Sequence, residues 1–175
     1  ANAIGFTNAI LFLLNDESQY ENSNLIELIE QGVKGQDLLS NEVFPEGTES
    51  YMNSSERDAT YEEVLHFIHG YGIQFALPAM QADLEIAMNE AIENNYYNPL
   101  WDLPQEDYDE EYLAMGLESY FGLWAHDPSG DGFCGDGEYP FINREEMEIG
   151  DPLLYNIILG FFGEAWMYTP VLPSQ

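Results

Sequence analysis

Positive charge is what this chain most lacks. Three basic residues, Lys34, Arg57 and Arg144, stand against 33 acidic ones, for a formal net charge of -30. Such a field repels phosphate backbones and anionic headgroups, which excludes nucleic acid and acidic membrane surfaces as partners. It attracts cations, and its self-repulsion ties stability to salt or to bound metal. The single cysteine, Cys134, excludes an intrachain disulfide. No apolar run reaches the roughly 18 residues that a membrane span requires. The opening "ANAIGFTNAILFLL" lacks the positively charged flank of a secretion signal, so the chain reads as a single domain over 1–175, a mature chain or a cut-out domain. Its many Asn, Tyr and Ile residues suit an extracellular or cell-surface protein in a salty habitat better than a halophilic cytoplasm.

What is present is ample apolar material, 45% hydrophobic and 14% aromatic, so the chain should fold. The pattern is mainly helical, with at most a small sheet; short strands near Val43 or Phe141 leave α+β open. "AILFLL" belongs to a first apolar helix, and Asn24 caps a short one through "LIELIEQGV". Residues 35–57 are loop-like and carry an Asn53-Ser54-Ser55 glycosylation sequon. Thr60 and Glu63 form a capping box at the start of the next helix. Pro78 suits the first turn of a long helix, an acidic helix runs from about Glu106 to Trp124, and Asp151-Pro152 opens the last one.

The chemistry concentrates in "DATYEEVLHFIHGYGI", residues 58–73, which holds two of the three histidines. Side chains three and four apart share a helix face, so Glu62, His66 and His69 form one polar stripe, with Glu63 beside His66. Tyr61, Val64, Leu65, Phe67, Ile68 and Tyr71 make much of the remaining surface apolar. Carboxylates and imidazoles on a largely buried helix need partners, and a cation is one good partner. The same spacing also allows a Glu62–His66 ion pair with His69 hydrogen-bonded in the core.

Two further segments carry a family resemblance. "DEEYLAMGLESYFGLW" resembles the downstream helix of gluzincin-type metallopeptidases of the anthrax lethal factor type, with Glu111-Tyr112-Leu113-Ala114 on the motif that supplies the third zinc ligand. "NREEMEIGDPLLYNIILGFF" is similar to the closing Asp-Pro-x-Leu-Tyr helix of that family. Upstream, Glu62-Glu63-Val64-Leu65-His66 stands where zincins carry His-Glu-x-x-His. The resemblance spans residues 58–162 and implies a zincin-like fold with Glu63 as general base and His66 and Glu111 as ligands. Glu62 replaces the first histidine, and His69 is a substitute ligand one turn on. A Glu/His/Glu set is harder than His/His/Glu, so it suits manganese, iron(II) or calcium better than zinc and weakens the acidification of bound water. In a working site the ion would polarise a peptide carbonyl while Glu63 moves the proton from water to the leaving amine.

A second pattern lies in "HDPSGDGFCGDGEYPFINREEM". Asp127, Ser129 and Asp131, with Gly132 and then Glu138 at position 12, satisfy the oxygen-ligand spacing of an EF-hand calcium loop. Cys134 at position 8 and Tyr139-Pro140 after position 12 depart from it. A rival alignment that skips "FCGDGEYP" ends at Glu146, and a solvated Asp/Gly turn is the plain alternative. The resulting expectation is a secreted or surface zincin-like metal-binding protein, a divergent metallopeptidase with weak or lost activity on peptide or protein partners. The alternative is an acidic, calcium-stabilised helical binding module without catalysis.

Overall fold

The computed structural model describes residues 2–16, 18–19, 24–45, 48, 58–100, 103–123, 132, 134 and 137–163, with residues 2–4 described by their backbone alone. Within them the chain is mainly helical. Helix α1 (Asn2–Thr7), strand β1 (Ile10–Leu14), helix α2 (Leu25–Glu30) and strand β2 (Gly35–Leu39) come first. Then follow α3 (Thr60–Ile68), α4 (Pro78–Glu93), α5 (Tyr108–Phe121), α6 (Arg144–Gly150) and α7 (Pro152–Phe162). No described helix is long and apolar enough to cross a membrane.

The sheet is a parallel pair, Ile10 opposite Gly35 through Leu14 opposite Leu39. The expected first helix is therefore a strand where "AILFLL" lies, and the expected loop at 35–57 begins with that strand's partner. Periodicity cannot separate a short apolar run in a strand from one in a helix. Pairing decides it, and Gly35 admits the pairing because a Cβ there would run into the Phe12 ring and the Ile10 carbonyl. Val43 is extended without joining a sheet, and near Phe141 there is only an antiparallel bridge between Cys134 and Tyr139.

The acidic helix α5 is the centre of the fold. It packs against α3, α4, α6 and α7, and every residue from Tyr112 to Tyr120 is buried. Three of its four acidic residues crowd into the first turn, Asp109, Glu110 and Glu111, while the fourth, Glu118, is buried further along. Carboxylates in the first turn are favoured by the helix dipole. Beyond that turn the helix is core on all sides, with Leu84, Ala87 and Ala91 of α4 and Leu154 and Ile158 of α7 completing the cluster. Gly116 permits a close approach of α7, since a Cβ would collide with Leu154.

Local capping follows the sequence in part. Pro78 and Pro152 occupy first-turn positions, and Asp151 caps α7 by accepting from Leu154 N at 3.2 Å. The same buried carboxylate accepts from the Tyr112 and Tyr139 hydroxyls at 2.5 and 2.9 Å, which ties α5 to α7. Helix α3 starts at Thr60 as expected, but without a Thr60–Glu63 capping box. Asp58 Oδ1 instead accepts from Thr60 N and Oγ1 at 3.1 and 2.6 Å. Asn24 makes no side-chain cap on α2. An additional short helix, α6, is capped by Asn143, whose side chain accepts from Glu146 N at 3.0 Å.

Candidate metal centre

Helix α3 does not end at its second histidine. It widens into a π-helical turn, His69–Ile73, before a last turn at Gln74–Ala76. Tyr71 braces that turn against β2, its hydroxyl donating to Gly35 O at 2.9 Å and accepting from Gly35 N at 3.1 Å. The brace and the packing of α3 on α5 bring the histidine face against the acidic first turn of α5. The buried face of one helix thus meets the carboxylates of another.

Glu62, His66 and Glu111 converge there, with one potential ligand atom each, all within 4.8 Å of one another. His66 is buried and the two carboxylates are partly exposed. His66 Nε2 is 3.5 Å from Glu111 Oε1 and makes no hydrogen bond. That gap is long for a charge-assisted hydrogen bond, which closes to about 2.7–2.9 Å. It fits two ligands on the edge of a tetrahedral ion, which at bonds of about 2.1 Å stand about 3.4 Å apart.

Glu63 stands on the other edge of the imidazole. Its Oε2 is 3.8 Å from His66 Nδ1 and accepts from Gln36 Nε2 at 2.6 Å. Burial raises its pKa, against the lowering effects of His66 and Gln36. Burial likewise pulls His66 down, but Glu111 beside it, then Glu62 and Glu63, outweigh that loss and raise the ring to about 9. The surrounding carboxylates therefore favour the protonated ring in the metal-free protein, its charge standing in the place a cation would take.

The remaining expected ligands fall elsewhere. His69 does not enter the group of three; its Nδ1 faces Glu110 and its Nε2 lies 2.7 Å from Gln81 Oε1. In the Asp/Gly loop, Asp127, Ser129 and Asp131 lie outside the described residues, as does the Asn53 sequon. Glu138 is 5% exposed, and its backbone carbonyl accepts from Asn98 N at 2.9 Å. No helix leaves that position, since Tyr139 pairs with Cys134. Gln36, Gln81, Asp109 and Glu110, which support the two histidines, went unrecognised from the sequence. The adjacent carboxylates of "DYDEEY" were the available signal; neither glutamine had one.

Helices α3 and α5 also enclose an apolar pocket of about 350 Å³, lined by Tyr61, Val64, Leu65, Leu117, Phe121 and Phe162 among others. Comparison with protein-family models, curated proteins and solved structures finds no match for this chain.

Proposed function

We propose that this is a zincin-like metal-binding protein of an extracellular or cell-surface setting, whose centre is Glu62, His66 and Glu111 and whose peptidase activity is weak or lost. The observation that carries the reading is the convergence of these residues from two helices onto a buried imidazole nitrogen without a hydrogen-bond partner. Imidazole nitrogen with carboxylate oxygen suits zinc, manganese or iron(II). The apolar pocket between the same helices offers room for an apolar side chain of a peptide ligand.

Weak catalysis follows from charge and from the place of Glu63. Two anionic ligands lower the ion's power to acidify water. A general base must also reach the water on the metal, whereas Glu63 faces Nδ1, the ring edge opposite Glu111, and is held by Gln36. In that place it orients the ring and raises its basicity, as carboxylates behind metal-bound histidines do.

Metal analysis after purification without chelator, paired with a casein-cleavage assay, tests the reading. The expected result is a transition metal whose content falls in His66→Ala and Glu111→Gln, with cleavage near background. Metal content unchanged in both variants would place the ion elsewhere. Robust cleavage abolished by Glu63→Gln would make the protein a working peptidase instead.

A further inference from the structure

One turn beyond His66, a second histidine is poised in the same manner and lies outside the Glu62/His66/Glu111 group. His69 is 1% exposed, and its Nδ1 is a buried nitrogen with no hydrogen-bond partner, 3.5 Å from Glu110 Oε1. The other ring nitrogen reveals which tautomer the neutral ring adopts. Gln81 Nε2 donates to Asp109 Oδ2 in a short hydrogen bond and to Glu85 Oε1 at 3.3 Å. Carboxylates accept and do not donate, so the Gln81 amide has one orientation and its oxygen faces His69 Nε2 at 2.7 Å. Nε2 of the neutral ring therefore carries the hydrogen, and Nδ1 presents a lone pair to a carboxylate oxygen.

The imidazole nitrogen is buried and the carboxylate only partly exposed, so a positive charge between these two acceptors stabilises both. The separation matches the tetrahedral edge of about 3.4 Å rather than a charge-assisted hydrogen bond. The surroundings are shaped to keep the carboxylate there. Gly70 leaves room that a Cβ would take from Glu110 Oε1, approaching it to 2.8 Å, and Gln74 Nε2 lies 3.4 Å from the same oxygen. The π-helical turn begins at His69 itself, and such turns often occur at functional sites.

We propose that His69 Nδ1 and Glu110 form a second binding site for a divalent transition-metal ion, beside but separate from the Glu62/His66/Glu111 centre. The Gln81–Asp109 pair is its outer support, orienting the ring as such partners do for metal-bound histidines. Gln74 stands at the rim, and solvent completes the coordination. Calcium and magnesium, which prefer all-oxygen shells, are poorer occupants.

Cobalt(II) titration of the full chain, read by calorimetry and d–d absorption, tests this in high salt, which screens loose binding to the acidic surface. The wild type should take two equivalents. Glu110→Gln, at a partly exposed position, and His69→Gln, which keeps an amide in reach of Gln81 but removes Nδ1, should each leave one. His66→Ala should leave the other one, and His66→Ala combined with Glu110→Gln none. With zinc, the nitrogen-15 resonance of His69 Nδ1 should shift more than that of Nε2. A single wild-type equivalent retained by Glu110→Gln and His69→Gln but lost in His66→Ala would overturn the second site and leave the first standing. A single equivalent with the opposite pattern would support the second site and overturn the first. Two equivalents retained in both Glu110→Gln and His69→Gln would also overturn the second site.

Discussion

Proton and metal compete for the same nitrogen of His66, which makes affinity at the Glu62/His66/Glu111 centre steeply dependent on pH. The ring is held at about 9 in the metal-free protein, against an ordinary 6.5. Metal binding requires the neutral imidazole. With a value of about 9, the fraction of neutral rings rises from roughly 0.1% at about pH 6 to roughly 9% at about pH 8, a gain of about 90-fold. An unperturbed histidine would gain only about fourfold over the same interval. The assay is cobalt(II) or zinc affinity at several pH values in a His69→Gln background, so that a single centre is read. Apparent affinity should climb close to tenfold per pH unit across this range. A change of fourfold or less, or the same slope in His66→Ala, would refute the reasoning. The sign for stability is opposite. A raised folded-state value stabilises fully below the unfolded pKa of about 6.5, and that contribution is lost as pH rises through about 9. Urea melts of chelator-treated protein should therefore weaken over that window, by at most about 3 kcal/mol, and added metal should offset the loss.

Tyr112→Phe removes one of the donors to buried Asp151 and should cost about 1.5–3 kcal/mol, the range for hydrogen bonds to charged groups; an unchanged urea midpoint would refute it. Gly116→Val should destabilise by about 1–3 kcal/mol through overpacking against Leu154 and Ile158. Gly160→Ala in α7, where an added Cβ meets nothing within 4 Å, should stabilise by up to about 1 kcal/mol. Equal effects from the two glycine changes would deny that α5 and α7 pack this closely at Gly116. With a net charge of -30, thermal melts should rise from low salt with chelator to high salt, and to added divalent ion; identical midpoints in all three would show that self-repulsion is unimportant.

The sequence by itself determined the mainly helical fold, the proline entries at Pro78 and Pro152, and the Asp151 cap. Each depends on neighbours within a turn, where spacing and residue type suffice. It also placed Glu62 and His66 on one face, because a helix repeats every three to four residues. What lies further apart along the chain was decided by tertiary structure. "AILFLL" became a strand because Gly35 accepted it as a partner, and no local pattern contains a pairing across that distance. His69, equally one turn from His66, was drawn to Glu110 and Gln81. Which carboxylate meets which imidazole depends on how α5 crosses α3 and on the π-helical turn that begins at His69. Even the acidic character of α5 misleads in isolation. Three of its four carboxylates sit in one turn at the end facing the histidines, while the rest of the helix, the buried Glu118 included, is the core of the fold.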